Sequence, residues 1–249
     1  MKKIFCLFLI VLTLSRPTGA FATPSTQIWI PSTDIQKFKT FHLNIDSYVH
    51  LSDEPDGTRR SPIFMIGPTV GVLPFEKVQA EVGFDLMYQG DANLDDYPIY
   101  FHAKVGTPED SMFTWSPALA IGIYNVGIKP DLTTQDMVYG LVAKTIPVIG
   151  RLSAGYFYGN STVLVDENGA DANHGLLASW DRTMKEISDK LWLAVDYQGS
   201  ESGLGAVNFG ASWAFSSNVS VILGYDHYLN QNVTGRDTAT VQVDINLQK

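Results

Sequence analysis

Between Thr40 and Leu51 the chain alternates almost without a break. Phe41, Leu43, Ile45, Val49 and Leu51 fall on one side of an extended segment, and His42, Asn44, Asp46, Tyr48 and His50 on the other. Successive side chains of a strand point to opposite faces, so this is a strand with one apolar and one polar face. Similar alternation recurs at Val78–Tyr88, Ile99–Gly106, Leu191–Gln198, Val207–Phe215 and Thr240–Leu247. Twelve segments are counted, beginning near Thr40, Ile63, Val78, Tyr97, Ser116, Gln135, Arg151, His174, Leu191, Gly203, Val219 and Asp237. One period runs through the whole chain, which predicts an all-β fold without a second domain.

The choice between a water-soluble sandwich and a membrane barrel rests on the second face. A soluble sandwich or closed barrel needs large apolar residues on its inner face and a charged outer one. Here one face is Val, Leu, Ile, Phe and Ala. The other is mainly Gly, Ala, Ser, Asn, Asp and Tyr, with Gly67, Gly83, Gly106, Gly122, Gly140, Gly155, Gly210 and Gly224 assigned to it. That second face is too small to build a core. The expectation is therefore a transmembrane, antiparallel, up-and-down β-barrel of about 12 strands, with the apolar face toward lipid.

Loop lengths agree with this. Connections after even segments are mostly tight, and those after odd segments are mostly longer and polar, so both termini are expected on the short-turn, periplasmic side. Trp115, Trp180, Trp213 and Phe215 fall toward the short turns. Tyr88, Tyr97, Tyr124, Tyr158, Tyr197 and Tyr225 fall toward the long loops, as two interfacial girdles would.

The N-terminus carries a different signal. Lys2 and Lys3 precede an apolar run from Ile4 to Leu14, and Ala20-Phe21-Ala22 offers a small-x-small cleavage site, so residues 1–22 are expected to be a secretory signal peptide. Arg16-Pro17 ends the run before the roughly 20 apolar residues that a membrane helix needs. Without Lys2, Lys3, Arg16 and Cys6, the remainder holds 14 basic against 26 acidic residues and no thiol. Disulfides, thiolate metal sites and cysteine nucleophiles are then excluded. The negative charge argues against nucleic acid, and no clustered ligands imply a metal or other cofactor.

Residues 23–39, with Gln27-Ile28-Trp29-Ile30-Pro31, precede the first strand. They have two open placements: a leader at the periplasmic mouth, or a small plug inside the lumen anchored by Trp29. The surface-lying leader is the simpler of the two. The barrel itself is expected to span residues 40–249.

This pattern resembles the porin-like group of bacterial outer-membrane β-barrels over about Thr40 to Lys249. The resemblance implies the outer membrane of a Gram-negative cell, contact with lipid and lipopolysaccharide, and folding by the barrel assembly machinery. Such barrels commonly end in an aromatic residue, and Asn246-Leu247-Gln248-Lys249 departs from that.

Twelve strands about 4.8 Å apart and tilted about 40° give a diameter of roughly 24 Å, leaving a central space of order 10 Å. Only small solutes could pass. Alternation assigns Asp46, Glu81, Asp85, Asp181, Asp196, Asp226 and Asp244 to the lumen, against Lys104, Lys144 and Arg151, with His42, His50 and His102 on the same face. Two readings stay open. Uncompensated carboxylates would make a narrow passive channel favouring cations. Cross-lumen pairing of the same residues would instead hold together a filled structural or surface-recognition barrel. In either case Asp46 would lie beside Asp244, with His42 and His50 as partners.

A barrel hydrolase is the rival class. Outer-membrane phospholipases place a lipid-facing His and Ser on one strand, but no serine lies two residues from His227. Omptin-like proteases use an Asp-His dyad, but Asp226 and His227 are adjacent and so face opposite ways. No enzyme is expected from the sequence. The acidic loop clusters Asp53-Glu54-Asp56, Asp91-Asp95-Asp96 and Asp166-Glu167-Asp171 either bind divalent ions that bridge lipopolysaccharide phosphates or keep the loops soluble, the second being the simpler reading.

Overall fold

The computed structural model describes residues 25–247, so the expected signal peptide lies outside the described residues. Twelve strands follow in order: β1 (Phe41–His50), β2 (Ile63–Gly71), β3 (Gln79–Tyr88), β4 (Ile99–Thr107), β5 (Ala118–Gly127), β6 (Thr134–Ile146), β7 (Gly150–Tyr158), β8 (His174–Thr183), β9 (Leu191–Gln198), β10 (Ala206–Ala214), β11 (Val219–Tyr228) and β12 (Thr238–Leu247). Each pairs antiparallel with its sequence neighbours. The sheet closes where β1 meets β12, from Phe41 opposite Leu247 to His50 opposite Thr238. Closure leaves no free edge to template aggregation. Two single-turn helices, α1 (Ala92–Asp95) and α2 (Gln231–Thr234), sit in the loops before β4 and β12.

The connections differ at the two ends. Three residues join β6 to β7 and four join β10 to β11, whereas fifteen join β7 to β8 and twelve join β1 to β2. The loop between β4 and β5 is a long exception on the short-turn side, and both strand termini, Phe41 and Leu247, also lie on that side.

Outward faces are apolar and exposed all round. Phe41 and Ile45 on β1, Phe84 on β3, Ile121 on β5, Leu176 on β8 and Leu223 on β11 each leave more than a third of their surface uncovered. Soluble monomers rarely expose apolar patches beyond a few hundred Å². This one encircles the molecule, which is the exterior that a hydrocarbon solvent accepts.

The interior departs from the small-face expectation on one side. Met137, Tyr139 and Leu141 of β6, Phe157 of β7 and Leu177 of β8 point inward and are buried, with Leu164 folded in from the β7–β8 loop. Trp192 and Ala194 of β9 and Ile222 of β11 form a second apolar cluster. What completes both clusters is the segment before β1. Ile30 packs into the first and Ile28 into the second, each almost fully buried. Residues 27–36 therefore lie largely against the inward-facing side chains, while Lys37, Phe38 and Lys39 are exposed at the short-turn end.

Two further corrections follow from register. Gly140 is opposite Ile121, which is 63% exposed, so Gly140 and Lys144 belong to the outer face of β6. Both faces of Met137–Lys144 are largely apolar, so alternation alone could not fix the phase. The apolar partners Ile30 and Leu164 fix it. Tyr124, assigned to an outer girdle, donates instead to Gln198 across the interior at 3.1 Å. Tyr124 pairs with the inward Met137 and lies two residues from the inward Gly122, so unbroken alternation already puts it inside, and the β5–β6 pairing slips only after it.

Candidate functional site in the barrel lumen

The segment inside the barrel is a short hairpin followed by a strap. Gln27 N–H donates to Ile30 C=O at 2.8 Å and Ser32 N–H to Ser25 C=O at 3.1 Å, which brings Trp29 to the tip. Residues 33–39 then descend to the short-turn end, where Lys39 N–H bonds Gly71 C=O at 3.0 Å. Its backbone groups must be satisfied inside the lumen, and the barrel wall supplies the partners. Asp196 does most of this. One of its carboxylate oxygens accepts from the N–H groups of Ile28 (2.8 Å), Trp29 (2.9 Å) and Ile30 (3.4 Å), and the other accepts from Asn208 Nδ2 at 2.6 Å. Gln242 Nε2 donates to Ile28 C=O at 2.8 Å. Room for the Ile28 side chain comes from Gly210, where a Cβ would fall 2.8 Å from Ile28 Cδ1.

Four more charged residues of the wall hold the hairpin and strap. Asp181 accepts from Gln27 Nε2 (3.1 Å), Trp192 Nε1 (3.1 Å) and Arg151 Nε (2.8 Å). Arg151 reaches on to Asp34 at 2.6 Å, so one guanidinium joins wall to strap. Lys104 is buried, pairs with Glu81 at 3.2 Å and donates to the carbonyls of Ser25, Ser32 and Asp34. Glu81 in turn accepts from Gln36 N–H at 2.7 Å. At the tip, Trp29 donates to Leu204 C=O at 3.1 Å and meets Tyr48 and Tyr228 edge-on at 5.4 and 5.9 Å.

On the opposite side, toward β1–β5, the lumen is hollow. A cavity of about 680 Å³ runs from Asp91, Leu94 and Val233 at the long-loop end to His42, Thr69 and His102 deep in the barrel, with Trp29, Ile28 and Pro31 as one wall. The strap, Lys104 and Glu81 lie beyond those deep residues, toward the short-turn end.

The thirteen residues assigned to the lumen thus divide. Glu81, Lys104, Asp181, Arg151 and Asp196 hold the hairpin and strap. His42 pairs with Asp244 at 3.4 Å and bonds Asn246 at 3.0 Å, and His102 lies 3.7 Å from Asp85. Asp226 accepts from Thr238 at 2.8 Å. Asp46 faces the cavity, as expected, but its partner is Asn44 at 3.2 Å and not a histidine, since His50 turns to Arg236 C=O at 2.6 Å. Lys144 is on the outer face at the short-turn rim, where it pairs with Asp110 at 2.9 Å and caps the Trp115 ring.

Sequence reading missed the neutral amides Asn44, Asn208, Gln242 and Gln27, which do much of the bridging. Parity placed Asn44, Asn208 and Gln242 inside, but nothing local said what they face. His227 also has a partner that alternation could not reveal. Its Nδ1 lies 3.1 Å from Asp237, which accepts from Tyr225 through the same oxygen. Opposite His227 stands Val207, which brings no hydroxyl to attack a lipid ester.

No family model and no curated protein matches the chain by sequence. Similar solved structures include an outer-membrane channel from Pseudomonas putida F1, at 7% identity and a TM-score of 0.47, covering 86% of this chain and 97% of that one. The NanC porin is similar at 8% identity and a TM-score of 0.46, covering 83% of this chain and 100% of that one. Outer-membrane phospholipase A from Escherichia coli is similar at 11% identity and a TM-score of 0.45, covering 86% and 94%. At these identities none of the three transfers a residue role to this chain.

Proposed function

We propose that this chain is a bacterial outer-membrane barrel, both termini periplasmic, that admits small solutes, with a preference for cations, through a narrow path beside its own N-terminal hairpin. The observation that carries this reading is the hollow sector itself: 680 Å³ of space reaching from the long loops deep into the barrel, with Asp46 and Asp85 on its wall. The apolar exterior supports a setting in outer-membrane lipid, with lipopolysaccharide around the long loops and assembly by the barrel machinery. Lys104 is neutralised by Glu81, and Arg60 at the rim is held by Glu54 at 2.9 Å, so the lysine and arginine nearest the path are both compensated. An aqueous path carrying fixed negative charge raises the local concentration of cations. Because the strap spans the short-turn end, the resting path is constricted and its conductance should be small.

Single-channel recording in planar bilayers tests this with the full exported chain. Small steps are expected, with a reversal potential in a potassium chloride gradient on the potassium side. Asp46→Asn with Asp85→Asn should move that potential toward zero. An absence of steps would remove the channel reading, and a chloride-selective potential would remove the role of the two carboxylates.

A further inference from the structure

The hollow sector carries two patches of lining, and they ask for different chemistry. On one, Asn44 Nδ2 donates both to Asp46 (3.2 Å) and to Asp85 (3.3 Å), drawing two carboxylates from β1 and β3 together across β2. This convergence depends on Gly67 between them, where a Cβ would fall 2.1 Å from Asp85 Oδ1. Two carboxylates sharing one amide are held close despite their repulsion. Among the ion pairs of the described residues, Asp85 has only His102, at 3.7 Å, and Asp46 has none. Beside these carboxylates, Met65 opposite Asp46 and Met87 two residues from Asp85 line the same space, with Tyr124 and Trp29 also on its wall. Thioethers and aromatic rings make an adaptable apolar wall, and ring faces also attract cations.

A space of this volume is typical of a pocket that encloses a small organic molecule. Inorganic cations would be served by the carboxylates alone and would gain nothing from the apolar wall. A purely apolar ligand would leave the carboxylates to be desolvated without a partner. We infer that the hollow sector is a binding site for a small amphipathic amine, its ammonium between Asp46 and Asp85 and its apolar or aromatic body against Met65, Met87 and Tyr124. The inference rests on the channel reading only for the ligand's route in, from the long-loop end.

The test uses the full exported chain in detergent micelles and three probes of similar size: tryptamine, the neutral tryptophol and the anionic indole-3-propionate. Calorimetry should show saturable tryptamine binding, weaker tryptophol binding and no propionate binding. Asp46→Asn with Asp85→Asn should weaken tryptamine about tenfold or more while leaving tryptophol within about twofold. Met87→Gln, in the apolar patch, should weaken both by a similar factor, and it keeps the inference testable if the double variant misfolds. Equal affinity for tryptamine and tryptophol, or a double variant that binds tryptamine unchanged, would overturn it. Bilayer recording separates this outcome from the channel reading. Carboxylate-dependent tryptamine binding without any current would leave the site and remove the channel, whereas current without binding would leave the channel and remove the site.

Discussion

The two halves of this lumen are built from the same strand pattern and do opposite things. Along β6–β11 the inward residues include the apolar Met137, Tyr139, Leu141, Phe157, Leu177, Trp192 and Ile222, and the N-terminal hairpin presses Ile28 and Ile30 into them. Along β1–β4 the inward residues are more polar, and the segment touches them at Tyr48 and, toward the short-turn end, at Glu81, Lys104 and Gly71, leaving the stretch between to the open cavity. The difference teaches that a barrel of this size is not filled or empty as a whole. Its content is decided strand by strand, by where a short segment finds both apolar holes and acceptors for its backbone N–H groups. The hairpin settles on the side where Asp196 offers one carboxylate to three consecutive amides.

The largest expected effect lies at the boundary between the halves. Lys104 and Glu81 are both buried, and Lys104 also caps three carbonyls of the hairpin and strap. Removing one member of a buried pair strands the other, so Lys104→Ala should cost about 3–5 kcal/mol. Urea unfolding of the folded chain in micelles would measure it. Combining Lys104→Met with Glu81→Gln should recover part of the loss, because no charge is then left unpaired. If the double variant is as unstable as Lys104→Ala, the carbonyl contacts, not the ion pair, hold the strap.

A matched pair of methionines compares the halves more directly. Met137 is fully buried against Ile30 and Phe157, whereas Met65 lines the open cavity. Met137→Ala should cost about 2–5 kcal/mol, the range for a buried large-to-small change that leaves a hole. Met65→Ala should cost under about 1 kcal/mol, since it enlarges a space already present. Equal costs, read from the same unfolding curves, would mean that the hollow sector closes in solution.

Much of the barrel was legible in the sequence because strand alternation is a local property. The starts near Thr40, Ile63, His174, Leu191 and Val219 fall within a residue of the observed ones. Alternation fails where both faces are apolar, as at Met137–Lys144, whereas Tyr124 shares the face of Gly122 and its girdle placement ran against the alternation. The hairpin was open to two placements for a different reason. Gln27-Ile28-Trp29-Ile30 has no period to read, and its partners Asp181, Asp196 and Gln242 are more than 150 residues away. Inward placement of Asp46, Asp85 and Asp196 was readable by parity. Which of them would be consumed by the hairpin was not, since that depends on a contact between distant parts of the chain.

The smallest effects should differ in sign between two glycines. At Gly210 an added methyl would meet the Ile28 side chain at 2.8 Å and Ile222 at 3.2 Å, so Gly210→Ala forces the hairpin tip to shift. Overpacking of this kind costs about 1 kcal/mol where a side-chain end can yield, as Ile28 Cδ1 can. At Gly140 nothing lies within 4 Å, because this residue is on the outer face of β6. Gly140→Ala should stabilise the barrel by about 0.4–1 kcal/mol, chiefly by restricting the unfolded chain. Thermal unfolding of the two single variants and their combination would measure both signs. The sites lie on β10 and β6 and share no contact, so their effects should add. A destabilising Gly140→Ala would put that residue back inside the lumen and would move Lys144 with it, reversing the phase of β6 on which the filled half depends.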